Sequence, residues 1–194
     1  MPLMRALALM DQNDERARQV KDEYLFGPDL LVAPVVTEGT QRSVYLPQGE
    51  WVDYWTGSYV TGGRTVIADV PVDQIPVYAR AGAVIAKIPE DVMTLVPQSE
   101  SGNTQVKSMD DRRVYELIDG GGGASITDFE GRRVERGEHS LKIAGDSAAH
   151  MILRWRSGKP SKVTVNGAEV KVESGESGAF VEFDHLKESL VGWE

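Results

Sequence analysis

Apolar and polar positions alternate in short runs through most of the chain, and the runs are separated by glycine-rich turns. LLVAPVV (Leu30–Val36) is continuously apolar and closes on Glu38-Gly39-Thr40, which predicts a strand buried on both faces. SVYLP (Ser43–Pro47) predicts another strand. EWVDYW (Glu50–Trp55) alternates large aromatic and polar residues, the pattern of a half-buried strand. RTVIADV (Arg64–Val70), IPVYA (Ile75–Ala79) and GAVIA (Gly82–Ala86) follow at similar spacing. Such short, evenly spaced strands suggest an antiparallel sandwich. Farther on, RRVYELID (Arg112–Asp119) leads through four glycines into ASITDFEG, which reads as a hairpin with a loose loop. HSLKIAG (His139–Gly145), HMILRWR (His150–Arg156) and AFVEFDHL (Ala179–Leu186) are strands by alternation. In KVTVNGAEVKV (Lys162–Val172), Asn166-Gly167 between β-branched residues specifies a type I′ turn.

The first 28 residues have a different rhythm. MPLMRALALM (Met1–Met10) is apolar and reads as a buried strand or helix segment. From Asp11 to Phe26 the spacing of Ala17, Val20, Tyr24 and Leu25 predicts a helix, with Asp11 or Asn13 as its cap and Gly27-Pro28 as its stop. Strand plus helix is half of a βα repeat, which cannot bury its apolar face alone. Three pieces result: residues 1–28, 29–88 and 89–194. The last boundary lies near residues 89–105, where apolar density falls.

Composition narrows the function. The 194 residues carry a net charge of −9, of which −6 falls after residue 88. That disfavours nucleic acid and anionic lipid, which attract basic faces. No apolar run is long enough to span a membrane. Arg5 inside the first apolar run, with Asp11 just after it, does not fit a secretory signal. There is no cysteine, so disulfides, thiolate metal sites and a cysteine nucleophile are excluded. The compartment stays open, with the lack of cysteine favouring an intracellular one.

Candidate chemistry is sparse. His139, His150 and His185 lack metal-ligand spacing and read as surface or packed residues. Gly120–Gly123 is followed by Ala124-Ser125-Ile126-Thr127, a strand pattern without the Lys-Ser/Thr and helix of a phosphate loop. Asp110-Asp111 and Asp128/Glu130 are carboxylate pairs that acid–base chemistry can use, but their polar settings read as solvated loops. Trp51, Tyr54, Trp55 and Tyr59 offer either a sugar-stacking platform or core packing. On a continuous strand Trp51 and Trp55 share one face, which favours packing. No catalytic, cofactor-binding or metal residue is assigned, and no cofactor is expected.

Four segments in fixed order carry a resemblance. They are PLMRAL (Pro2–Leu7), DEYLFGPDLLVAPV (Asp22–Val35), VYLPQGEWVDYWTG (Val44–Gly57) and IPVYARAGAVI (Ile75–Ile85). Together they resemble the C-terminal part of glycoside hydrolase family 31, the α-glucosidases and α-xylosidases, over residues 1–88. Ala6 departs from a proline common at that place in the family. The resemblance implies that residues 1–28 are the last strand and helix of a catalytic (β/α)8 barrel, 29–88 a proximal C-terminal β-sandwich and 89–194 a distal β-domain. The fold class is therefore mainly β, two small antiparallel sandwiches behind a barrel remnant. The family's two catalytic aspartates lie on earlier barrel strands, and no position here matches them.

The chain is thus expected to support an α-glycosidase acting on α-linked glucosides or xylosides while being inactive alone, because a barrel needs all its strands. The implied partner is the barrel of the same polypeptide. A free-standing carbohydrate-binding sandwich, with an oligosaccharide as partner, is the alternative. Residues 1–28 are expected to lack order or to pack against a neighbouring chain, and to favour self-association.

Overall fold

The computed structural model describes residues 2–10, 12–90, 111–175 and 177–194. Asp11, Asp110 and most of the expected boundary region lie outside them. The chain divides into two compact units, Met1–Ala83 and Val84–Glu194. Nearly all regular structure is β.

In the first unit the strands are β1 (Met4–Ala6), β2 (Tyr24–Phe26), β3 (Leu30–Val32), β4 (Gln41–Leu46), β5 (Glu50–Asp53), β6 (Tyr59–Thr61), β7 (Arg64–Asp69) and β8 (Val77–Arg80). Six form one antiparallel sheet in the order β1-β2-β3-β8-β5-β6, and β4 pairs with β7 in a second, two-stranded layer. Leu25, Leu31, Val44, Leu46, Trp51 and Tyr78 are buried in one core cluster.

Residues 2–28 differ from expectation. The helix α1 spans only Glu15–Gln19, and its cap is Asp14, whose carboxylate accepts from the Ala17 N–H at 3.0 Å. Val20 leaves helical geometry with ψ 123°, and Tyr24–Phe26 are taken up by pairing with β1 and β3. A ladder on both sides of β2 satisfies its backbone, so tertiary pairing overrides the weak helical spacing. The described residues of the segment are built into the unit's own sheet. Leu7, Ala17 and Leu25 lie in the unit's own core.

The second unit contains β9 (Val84–Lys87), β10 (Arg112–Leu117), β11 (Ser125–Thr127), β12 (Arg133–Arg136), β13 (Ser140–Ala144), β14 (Ala149–Trp155), β15 (Val163–Val165), β16 (Ala168–Val170), β17 (Glu173–Gly175), β18 (Gly178–His185) and β19 (Glu188–Trp193). Sheets ordered β17-β18-β14-β10-β9 and β11-β12-β13-β19-β15-β16 contribute to one core that includes Tyr115, Leu141, Ile143, Met151, Leu153 and Val181. β9, read from sequence with the preceding strands, pairs with β10 here.

Two details revise the sequence reading. β10 and β11 do not form a hairpin, because the glycine segment between them crosses from one sheet to the other. It is also pinned: Arg136 donates to the carbonyls of Ile118 at 2.6 Å and Gly120 at 3.3 Å. A Cβ at Gly122 would lie 2.2 Å from the Gly137 carbonyl carbon, so no side chain fits there. Secondly, β10 and β14 run parallel. The chain leaves the first sheet, builds β11–β13 in the other, and returns, which supplies the long crossover that a parallel pair needs. The Asn166-Gly167 turn is as expected, with φ of 51° and 83° joining β15 to β16.

Candidate functional site

The aromatic cluster at the end of β5 divides into a packed half and an open half. Trp51 is fully buried. Its Nε1–H donates to the Pro47 carbonyl at 2.8 Å, and the Arg80 guanidinium sits 4.8 Å from its ring centroid. Gly62 lies so close that a Cβ there would be 2.0 Å from the Pro47 oxygen. Trp55, expected on the same face, is instead 45% exposed. The strand ends at Asp53, whose Oδ1 accepts from the Trp55 and Thr56 N–H groups, each at 2.9 Å. This Asx turn breaks the two-residue period before Trp55. The indole is still held: Nε1–H donates to the Ile75 carbonyl at 2.7 Å, and the Tyr54 ring meets it edge-on at 5.5 Å. Beside it lies a cleft of about 40 Å³ lined by residues including Asp53, Thr56, Asp69 and Gln74. Tyr59 on β6 is exposed.

Asp128 and Glu130 are not solvated loop residues. Their carboxylates are mostly buried in the turn between β11 and β12, around a fully buried Arg132. Arg132 Nε–H donates to Asp128 Oδ2 at 2.8 Å, its Nη2 pairs with Glu130, and its Nη1–H donates to the Ser147 carbonyl at 3.0 Å. Tyr115 donates its hydroxyl to Asp128 at 2.6 Å, and Arg113 pairs with Glu130 at 2.9 Å. Burial is the largest influence on Asp128 and pushes its carboxyl up. Hydrogen bonds from Tyr115 and Arg132 outweigh it and hold the group below the usual carboxylate range. Both carboxylates are paired with arginine and each nitrogen of the Arg132 guanidinium donates, so the cluster fixes a turn. Asp111 is exposed.

His139 is exposed on a turn. His150 lies half-exposed on β14 between Asp184 at 2.8 Å and Glu182 at 3.4 Å, and the hydrogen bond to Asp184 chiefly raises its pKa. His185 is buried, bonded to Ser189 Oγ and the Gly145 carbonyl, and burial lowers its pKa. No group of three or more His, Cys, Asp or Glu side chains suited to a metal ion occurs among the described residues. Among them, no helix is long and apolar enough to cross a membrane.

The sequence reading missed Glu23. This carboxylate, 6% exposed, accepts from the Tyr45 N–H at 2.9 Å and so caps a mid-strand donor of β4. Its Oε2 is buried with no partner among the described residues. Burial pushes its pKa up to about 7, against the downward pull of the Tyr45 N–H and of Arg42, whose Nη2 is 3.8 Å away. Its charged neighbours in sequence hid it, since Asp22-Glu23 reads as a solvated face.

The fold is a β-rich pair of units. Residues 1–85 match the glycosyl hydrolase family 31 C-terminal domain. It is 31% identical over 180 residues to an isomaltosyltransferase of Sporosarcina globispora, covering 86% of this chain and 16% of that protein. It is 30% identical to an alpha-glucosidase of Bacillus thermoamyloliquefaciens, covering 87% of this chain and 23% of that protein. Among solved structures, the cycloalternan-forming enzyme from Listeria monocytogenes in complex with a pentasaccharide aligns with a TM-score of 0.79 and 27% identity, over 98% of this chain and 20% of that one. The chain therefore spans less than a quarter of the length of these proteins.

Proposed function

We propose that the chain is the supporting, non-catalytic β portion of an α-glycosidase acting on α-linked glucosides or xylosides, and that it braces a catalytic (β/α)8 barrel carried on the same polypeptide. In this reading residues 29–88 form the proximal domain and 89–194 the distal one. Residues 1–28, whose strands already belong to the sheet, join them to the barrel. The observation that carries the reading is the outward face of the first unit's sheet. The register places Met4, Phe26 and Leu30 in one row, which runs on to the buried Ala79 and Val52, and Ala6, Tyr24, Val32 and Val77 in the next. The opposite face, with Leu25, Leu31 and Tyr78, is already core.

An antiparallel sheet with one face in water alternates apolar and polar residues. This one is apolar on both faces, and Met4 and Phe26 remain exposed. A contiguous patch of this kind marks a docking surface. The relatives' much greater length supports a barrel as its occupant. The reading predicts that the purified chain does not hydrolyse nitrophenyl α-glucoside or α-xyloside. Turnover that tracks the protein through purification would overturn it.

A further inference from the structure

We propose that the Trp55 turn is a binding site for a neutral pyranoside, in which the exposed indole face stacks on the sugar ring and Asp69 and Gln74 take its hydroxyls. Three observations lead there. First, the indole is immobilised before any ligand arrives. Its N–H is committed to the Ile75 carbonyl, its backbone to Asp53 and its edge to Tyr54. A planar ring held in this way loses little freedom on binding, which is how aromatic anchors gain affinity. Secondly, Trp55 is 45% exposed even though it is the kind of residue that folding usually covers.

Thirdly, the cleft at its side brings polar groups that are not used up. Asp69 accepts at Oδ1 from the Gln41 amide at 3.0 Å, while its Oδ2 has no hydrogen-bond partner among the described residues. The Gln74 side-chain amide likewise has none there. One acceptor and one donor–acceptor pair beside an apolar plate match a ligand with a C–H face and a rim of hydroxyls. An anionic ligand fits less well, since no basic side chain lines the cleft and two aspartates do. The cleft holds little more than one hydroxyl group, so the sugar lies across the surface and a single ring makes most of the contact. The choice of α-glucosides as probes rests on the proposed function, but the stacking geometry does not.

The test is amide and indole N–H chemical-shift titration of the full 194-residue chain with isomaltose and with maltose, using glycerol as the non-saccharide control. The four tryptophans give four indole signals. The expected result is a saturable shift at the Trp55 indole and the Asp69 and Gln74 amides, absent with glycerol. Trp55→Ala should weaken binding by at least about tenfold, which corresponds to ~1.4 kcal/mol. Asp69→Asn, a surface change, should weaken it without altering the spectrum elsewhere, and it serves if Trp55→Ala misfolds. No saturable shift with either disaccharide, shifts confined to other residues, or undiminished binding by both variants would overturn the proposal. Loss of sugar binding here leaves the docking face untouched, so this test and the activity test fail separately.

Discussion

Replacing Trp51 by alanine should unfold the first unit far more readily than replacing Trp55. Trp51 is fully buried, fills the space between β5 and the backbone of Pro47 and Gly62, and stacks under Arg80. Truncating a buried tryptophan costs about 3–5 kcal/mol through lost transfer energy and the cavity left behind. The Pro47 carbonyl also loses its indole donor, which adds about 1 kcal/mol if no water replaces it. Against a domain stability of roughly 5–15 kcal/mol this is severe. For a unit of this size each kcal/mol moves Tm by about 4–8 °C, so a fall of more than about 12 °C is expected. Trp55 is half exposed, and its truncation should cost well under half as much. Urea unfolding followed by circular dichroism, run on both variants and wild type, gives the comparison. Equal losses, or a larger loss for Trp55→Ala, would refute the division into packed and open halves.

Further predictions concern buried charge and backbone. Glu23 has a folded pKa raised above its unfolded value, so the native state holds the proton more tightly. Its contribution is fully present below about pH 4.5 and is lost as pH rises to about 7, with a span on the order of 3 kcal/mol. Glu23→Gln should flatten that part of a stability-versus-pH curve measured by urea titration. An unchanged slope would show the carboxylate to be ordinary. Arg132→Met strands Asp128 without its cation and leaves Glu130 with Arg113 alone, and should cost about 3–5 kcal/mol in the second unit, read by calorimetry. Asp128 is depressed, so its contribution is present above its unfolded pKa and is lost as pH falls through the folded value. Gly62→Ala places a methyl group 2.0 Å from the Pro47 oxygen and should lower Tm markedly, whereas Gly57→Ala meets nothing within 4 Å and is limited to the strain of φ 74°.

The strands were legible wherever apolar alternation coincided with turn residues. Asn166-Gly167 dictates its own backbone, and the runs at Ser43–Pro47 and Arg64–Val70 fall on the paired strands β4 and β7. Local signals failed where a distant partner decides. The spacing of Val20 and Tyr24 is helical, yet β1 and β3 claim β2 from either side. Trp55 left its expected face because an aspartate two residues earlier captured the backbone N–H groups. Nothing in Arg132 or Glu23 announces burial, because a charge is buried only when its partners arrive from elsewhere in the fold: Tyr115 from β10, Tyr45 from β4. The parallel pairing of β10 with β14 was hidden for a similar reason, since it depends on which sheet the intervening strands join.

The account turns on the outward face of the six-stranded sheet as the surface that braces a barrel. The most direct measurement joins this chain to the catalytic portion of the Bacillus alpha-glucosidase in place of that enzyme's own C-terminal segment, and compares wild type with Leu30→Asp in hydrolysis of nitrophenyl α-glucoside. Leu30 lies on the outward face and is part-buried there, so the isolated variant chain is first shown by circular dichroism to fold as wild type does. The account predicts an active wild-type fusion and at least about a tenfold loss with Leu30→Asp, the effect of roughly 1.4 kcal/mol lost at the docking face. A Leu30→Asp fusion as active as wild type, or a wild-type fusion with no activity, would contradict it.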